Sequence, residues 1–325
     1  MRILIYGAGV IGSIYSARLH DAGHDVSLLA RGDRLAALRQ HGLLLAEGDS
    51  PIIRRVPVPV VDRPTGRYDL TLVFVRTHQI DGVLESIAEH AGAGAGAGAS
   101  TSGSGSTSGS DGPGGDVLFL LNWAAGPDPL AAVIGRERVL LGFPTLGGTT
   151  DDDVVRYRPT SLLTRLISMP IGEPDGRTTP RVSRIVTLFR HAGISAKPEP
   201  RMDAWLRTHA AFEVPLGQAV HAAGGLEPLA GDAAAIRAMV QRMRVNLGSL
   251  PTRPVPRTFN ALRTVPEGIL VPVFRRFLRS NAAAPLSTAS PAVFAELDRL
   301  IEQLGAIHLP PTDADSSTST TSGKN

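Results

Sequence analysis

An α/β amino-terminal domain, doubly wound around a mostly parallel sheet and followed by an all-helical carboxy-terminal domain, is the architecture this 325-residue sequence predicts. Three features carry that expectation. Short apolar runs alternate with helix-length stretches over the first half, the rhythm of β-α units in a parallel sheet. The first run ends in a glycine-rich turn that opens a helix. Beyond about residue 180 the apolar positions fall at helical spacing instead.

The elements follow in order. Residues 2–6 (RILIY) read as a strand buried on both faces. Gly7-Ala8-Gly9-Val10-Ile11-Gly12 comes next. A helix continues from it with Ile11, Tyr15, Leu19 and Ala22 on one side, and Gly23 ends it. Residues 26–29 make a second strand, 33–40 a short helix and 42–61 extended structure. LTLVFV at 70–75 is another buried strand, and 79–90 another helix. Residues 91–115 (AGAGAGAGASTSGSGSTSGSDGPGG) hold too little apolar side chain to offset the entropy of ordering them, so a disordered insertion is expected. The strand series resumes at 117–121 (VLFLL) and again at 139–142. The insertion therefore interrupts one domain rather than joining two. Helices are expected over 180–194, 202–223, 230–249, 266–280 and 291–305, with Asp203 as the N-cap of the second and Gly224-Gly225 as its end. These boundaries give a first domain over 1–175, a helical substrate and dimerisation domain over 180–307, and a disordered polar tail over 310–325.

The formal net charge is +3, and the basic surplus lies in the second half. Residues 1–150 hold 12 arginines against 14 acids, and residues 151–325 hold 21 basic against 16 acidic side chains. That surplus suits an anionic substrate and equally an ordinary charged surface. No basic stripe with interleaved aromatics occurs, so nucleic acid is not an expected partner. No run of 18 apolar residues occurs, so no membrane span is expected. The amino terminus is already a strand rather than a leader peptide. Cysteine is absent, which removes disulfides and thiolate chemistry and suits the expected cytoplasmic location. No metal site is expected. The only lysines are Lys197 and Lys324, which limits any mechanism that needs one.

The glycine hexapeptide has the context that gives it meaning: it follows a strand and opens a helix. Gly7 permits the tight turn, Gly9 a close approach of backbone to a pyrophosphate, and Gly12 close packing of helix on strand. Ala8, Val10 and Ile11 complete the loop, whose N–H groups and helix dipole would face the phosphates. This is the fingerprint of a Rossmann dinucleotide-binding domain. The end of the second strand then selects the cofactor. An acid there suits the ribose hydroxyls of NAD(H). Here Arg31 comes first, with Arg34 one turn on and Asp33 between them, and a guanidinium pairs well with a 2′-phosphate. The expected cofactor is NADP(H).

GAGVIGSIYSARLHDAGHDVSLLARGDRLAALRQHGL at the amino terminus, DLTLVFVRTHQ at 69–79, LNWAAG at 121–126, RERVLLGFP at 136–144 and WLRTHAA at 205–211 together resemble the ketopantoate reductase family. The resemblance implies reduction of a 2-keto acid by NADPH, with a lysine on the first long helix of the helical domain protonating the carbonyl oxygen. It places Asn122 near the nicotinamide, Gln79 near the adenine or phosphates, and Arg76 where the family often has lysine. Arg207 stands closest to the catalytic lysine. The asparagines expected further along that helix are replaced in a stretch reading Ala210, Ala211, Val214 and Pro215. LSTASPAVFAEL at 286–297 does not show the family's late Ser-Met, Asp and Glu pattern.

Arginine stays protonated and donates a proton poorly. Arg207 is therefore expected to bind a carboxylate or a developing oxyanion, with water or His209 as proton source. His209 lies about 200° round the helix from Arg207, so one site would not readily hold both. Glu213 reads as a buried acid or as the polar edge of the helix. The candidate catalytic set is Arg207, Asn122 and His209. The candidate cofactor set is Gly7, Ala8, Gly9, Val10, Ile11, Gly12, Arg31, Arg76, Gln79 and Asn122. Three readings remain open: a reductase of a small carbonyl substrate such as a 2-keto acid, a reductase of another ketone or an imine, and an NADP(H)-binding sensor or scaffold. A homodimer is a further expectation.

Overall fold

The computed structural model describes residues 1–91, 115–159, 167–280, 283 and 290–306. Nearly all of the expected insertion at 91–115, and all of the tail at 310–325, lie outside the described residues. The first part runs β1 (Arg2–Tyr6), α1 (Val10–Asp21), β2 (Asp25–Leu29), α2 (Gly32–His41), β3 (Leu43–Glu47), β4 (Arg54–Val56), β5 (Val60–Val61) and β6 (Leu70–Val73). It continues with α3 (Asp81–Ala91), β7 (Asp116–Leu120), α4 (Asp128–Ile134), β8 (Val139–Gly142), β9 (Gly148–Asp151), β10 (Val154–Tyr157) and β11 (Met169–Gly172). Helix α5 (Pro180–His191) and β12 (Ala196–Pro198) complete it.

The main sheet has the order β12-β11-β8-β7-β6-β1-β2-β5. All its pairings are parallel except β8 with β11. Strand order reverses at β1, where β2 lies on one side and β6 on the other. In open α/β sheets the crevice beyond the strand ends at such a reversal is where ligands bind. The strands are buried on both faces, which is why they read as continuous apolar runs instead of alternating.

A second, four-stranded sheet, β4-β3-β10-β9, was not legible in the sequence. The expected extended structure over 42–61 divides between this sheet and β5 of the main one. Helix α1 packs against β9 and β10 as well as against β1 and β2. It is accordingly buried nearly all round, including Ser13 and Ser16. Ser16 Oγ donates to the Gly12 carbonyl at 2.7 Å and Ser13 Oγ to that of Ala8 at 3.4 Å, so neither hydroxyl is left unsatisfied.

The expected domain limit at 175–180 needs correcting. Strands β11 and β12 extend the main sheet. The buried face of α5 (Val182, Ile185, Val186 and Phe189) joins the core that holds Ile3, Ile5 and Ile14. The α/β part therefore reaches to about residue 200. Helix α5 has the same amphipathic period as the later helices, and β12 is only three residues long, so the sequence pattern alone groups α5 with the wrong domain.

The helical part comprises α6 (Met202–Ala222), α7 (Leu226–Gly231), α8 (Ala233–Ser249), α9 (Asn260–Thr264), α10 (Glu267–Leu278) and α11 (Pro291–Ala306). Asp203 lies inside the first turn of α6, and Arg201 takes the N-cap position. Met202 and Leu206 pack into the sheet-side core with Leu121, Trp123 and Leu130. Further along, Leu216 and Val220 join Met239, Met243 and Phe274 in a separate helical core. Helix α6 thus spans both parts, and α11 packs back along it.

Candidate active site

The glycine loop sits at the carboxy end of β1. Gly7 has φ +116°, and a Cβ there would lie 2.4 Å from the Phe74 carbonyl oxygen. A Cβ on Gly12 would lie 1.9 Å from the Gly7 carbonyl oxygen. Both glycines are demanded by the fold itself. Gly9 differs: it has φ −72°, and a Cβ built on it meets nothing within 4 Å. Folding does not require its bareness, and the space beside it fits the close approach of a pyrophosphate. Gly9 is the N-cap of α1, and no side chain caps the helix and no acid stands in its first turn. The leading N–H groups of Val10 and Ile11 are thus disposed toward an anion. Ala8 is buried beneath the turn.

Arg31 closes β2 and is the N-cap of α2. Its Nη2 donates to the Tyr6 hydroxyl at 2.5 Å, and the guanidinium lies over the Tyr6 ring, 5.5 Å from its centroid. The exposed cation is thereby held at the rim of the loop. Arg34 is held more tightly: Nε donates to the Ala8 carbonyl at 3.2 Å, and Asp153 lies at 3.9 Å. Its Nη2 is buried and has no hydrogen-bond partner among the described residues.

A second cluster lies beyond the ends of β6 and β7. The Thr77 hydroxyl donates to the Asn122 carbonyl. Asn122 Nδ2 donates to Glu296 Oε1 at 3.3 Å, and Arg76 Nη1 donates to Glu296 Oε2 at 2.7 Å. A carboxylate only accepts, so it fixes which end of the Asn122 amide it meets. Asn122 Oδ1 is left buried and unpartnered. Gln79 is exposed, and its Oε1 accepts from the Arg76 backbone N–H at 3.1 Å, closing the 3₁₀ turn over Thr77–Gln79.

The structure thus brings Arg76 and Asn122 together and adds Glu296, which the sequence reading did not single out. Glu296 comes from α11, more than 170 positions after Asn122. Its local signal is one acid on an amphipathic helix, the same signal a solvated helix face gives.

Helix α6 supplies the opposite wall. Trp205, His209 and Glu213 are spaced four apart and share one stripe. The His209 ring lies 4.2 Å from that of Phe143 and is stacked on Trp205 at 5.2 Å, with centroids as reference. His209 Nε2 lies 2.8 Å from Glu213 Oε2. Burial pushes the Glu213 carboxyl up, but His209, with Asn122 and Arg76 adding to it, outweighs burial and holds the group below the usual carboxylate range. Glu213 is half-buried, with its Oε2 out of solvent and close to His209 Nε2 but without a hydrogen bond of good geometry among the described residues.

Arg207 points elsewhere. Its Nε donates to both Asp203 oxygens, at 2.9 and 3.0 Å. Its Nη2 lies against Gly126, close enough that a Cβ there would be 2.6 Å away. Of the three candidate catalytic residues, His209 and Asn122 flank Glu213, whereas Arg207 is engaged on the far side of the same helix. His209 lies beside Glu213, whereas Arg207 is paired with Asp203. Among the described residues no group of His, Asp and Glu is arranged to hold a metal ion, and no helix is long and apolar enough to cross a membrane.

A doubly wound sheet with a glycine loop at its switch point and a helical second part defines a Rossmann-type α/β protein with an appended helical domain. The sequence model of the family described as ketopantoate reductase PanE/ApbA matches residues 3–161, just under half of the chain, and over those residues the chain is similar to that family. A 2-dehydropantoate 2-reductase from Mesorhizobium japonicum is 26% identical over 215 residues, covering 64% of this chain and 63% of that protein. A 2-dehydropantoate 2-reductase from Pyrococcus horikoshii is 30% identical over 86 residues, or 28% of its own length. The chain thus spans under two thirds of the length of the curated relatives it matches.

Among solved structures, D-mandelate dehydrogenase with NADH and anilino(oxo)acetate superposes with a TM-score of 0.62 at 13% identity, covering 95% of this chain and all of that one. A 2-dehydropantoate 2-reductase from Geobacter metallireducens GS-15 gives 0.61 at 18% identity, covering 93% and 99%. At these identities the likeness is one of fold. It extends over the helical part, where the sequence resemblance had faded.

Proposed function

We propose that this protein is an NADPH-dependent reductase of a small carbonyl compound, with a 2-keto acid as the first substrate class to test. One observation carries the reading: the unobstructed Gly9 loop and Asn122, whose Oδ1 is buried and unpartnered, follow the carboxy ends of β1 and β7, strands that lie two apart in the same mostly parallel sheet. A dinucleotide laid with its pyrophosphate at Gly9 would have its adenosine end toward β2 and its nicotinamide end toward β7. The reduced nicotinamide, when bound, supplies a hydride to the substrate carbonyl carbon.

The chain's own groups have separable tasks. Val10 and Ile11 N–H groups bind the pyrophosphate. Arg31 at the α2 N-terminus, with the free Nη2 of Arg34 behind it, fits a 2′-phosphate, which favours NADPH over NADH. Asn122 offers a carbonyl oxygen to a carboxamide N–H or a substrate hydroxyl. Arg76 is ion-paired with Glu296, which also accepts from Asn122. The names of the curated relatives support the substrate class, and the mandelate dehydrogenase fold supports a broader set of 2-keto acids.

A second reading, an NADP(H)-binding sensor or scaffold, is favoured by one observation: the residue standing nearest the family's lysine, Arg207, is committed to Asp203. Fluorescence titration with NADPH and NADH, followed by NADPH oxidation with 2-ketopantoate and a panel of 2-keto acids, separates them. Tighter binding of NADPH with turnover of any member supports the reductase. Tight binding with no turnover across keto acids, uncharged ketones and imines supports the sensor. Equal affinity for the two cofactors overturns the role given to Arg31 and Arg34.

A further inference from the structure

Reduction of a carbonyl must end with a proton on oxygen, and the residues that usually supply one are scarce here. Of the two lysines, Lys197 lies on β12 with its side chain exposed, and Lys324 lies outside the described residues. Arg207 is a poor donor chemically and is held by Asp203. His209 is different in kind. Its Nε2 lies 2.8 Å from Glu213 Oε2, its ring packs in a three-ring cluster with Phe143 and Trp205, and Nδ1 makes no hydrogen bond among the described residues. The side chain keeps 22% of its surface exposed.

We infer that His209 is the proton donor of the proposed reduction and that Glu213 positions its ring and stabilises its charged form. The inference rests on the reductase reading. The pair replaces a lysine ammonium by a histidine-carboxylate couple on the same helix, one turn apart. The charged groups facing the couple from other elements are Arg76, from the end of β6, and Glu296, from α11. These two are ion-paired with each other, so neither leaves a bare charge opposite the ring. Asn122, from the end of β7, is neutral, and the side chains flanking the ring, Phe143 and Trp205, carry no charge.

The step balances without another reactant. The reduced nicotinamide, when bound, would supply the hydride for the new C–H bond, leaving the C=O π pair on oxygen to be protonated. The Nδ1–H bond of the imidazolium breaks as the O–H bond forms. The products are the alcohol, the oxidised cofactor and neutral imidazole, which takes a proton from water before the next turnover. Glu213 Oε2 lies 2.8 Å from Nε2, which leaves Nδ1 as the ring nitrogen without a carboxylate beside it.

The test uses full-length protein and two readouts. In turnover, His209→Asn is expected to lower kcat about 100-fold, within the range general acid catalysis supplies. The affinity for NADPH should stay within about twofold. Glu213→Gln should lower kcat less and move the alkaline limb of its pH profile to lower pH, since the imidazolium loses its counter-charge. In binding, ¹⁵N imidazole NMR follows His209 in wild-type protein with NADP⁺ and oxamate, an unreactive 2-keto acid analogue. The signal is identified by its loss in His209→Asn or its displacement in Phe143→Leu. A shift of Nδ1 on adding oxamate is expected. A variant His209→Asn with wild-type kcat and pH profile, or a wild-type ring that does not respond to oxamate, overturns the inference. If the ring responds but no carbonyl is reduced by wild-type protein, the reductase reading fails and takes the donor role with it. If wild-type protein reduces a carbonyl while the ring is silent, only the role of His209 fails.

Discussion

The Arg34 side chain reaches back across the nucleotide loop, and its Nε donates to the Ala8 carbonyl at 3.2 Å. A residue of α2 therefore braces the turn between β1 and α1, while its neighbour Arg31 stands on Tyr6 with its charge exposed. The two arginines occupy one rim but bear on different parts of it, and their substitutions should separate.

Arg31→Ala is expected to weaken NADPH binding by tenfold or more, about 1.4 kcal/mol, and to change NADH binding little, because only the 2′-phosphate is lost as a partner. Arg34→Ala should weaken both cofactors, because it also releases the Ala8 carbonyl that shapes the loop. Titrating both variants with both cofactors checks this. Equal losses for NADPH and NADH in Arg31→Ala would count against a 2′-phosphate contact.

Gly9 and Gly12 should separate folding from binding. Gly12→Ala drives a methyl group into the Gly7 carbonyl and is expected to lower Tm markedly. Gly9→Ala meets no protein atom, and φ at this site suits any residue. It should keep Tm within a few degrees and yet weaken dinucleotide binding by at least tenfold, at about 1.4 kcal/mol per decade. Thermal denaturation alongside cofactor titration reads both effects.

Arg207→Ala should leave kcat and substrate KM near wild-type values. Its partner Asp203 is partly exposed, so the expected cost is about 0.5–1 kcal/mol of stability, measurable by urea denaturation. A hundredfold loss of kcat with stability intact would return Arg207 to the catalytic set.

Tyr15 predicts an alkaline instability. Burial pushes its phenol up to about 12, against the opposing Thr145 backbone N–H, which donates to the hydroxyl at 3.2 Å. The group's folded pKa lies above its unfolded value of about 10, so between these two pH values the unfolded chain binds fewer protons than the folded one. Stability is fully present below about pH 10 and should fall by about 2–3 kcal/mol as pH rises through 12. Tyr15→Phe should show a shallower decline over the same window. Chemical denaturation of both proteins from pH 9 to pH 12 tests the difference.

Much of the α/β part was readable in advance. The strands at β1, β2, β6, β7 and β8 announce themselves because a strand buried on both faces must be apolar throughout. The glycine fingerprint was readable because two of its glycines answer backbone collisions that any side chain would cause. The second sheet was not readable: its strands are short, β4 is mostly exposed, and β3 pairs with β10 across more than 100 positions.

For the site, the sequence by itself determined the residue types available, the approximate 200° divergence of Arg207 from His209, and the placing of Arg31, Arg76 and Asn122 just beyond strand ends. These are local properties, set by backbone period and chain order. Only the tertiary structure decided that Glu296 of α11 would meet Arg76 and Asn122, that Glu213 would be half-buried beside His209, and that Arg207 would be spent on Asp203. Those contacts depend on how α6 and α11 pack over the sheet. That packing is fixed by the summed fit of many apolar side chains across the interface, and no local pattern around any one of the polar residues encodes it.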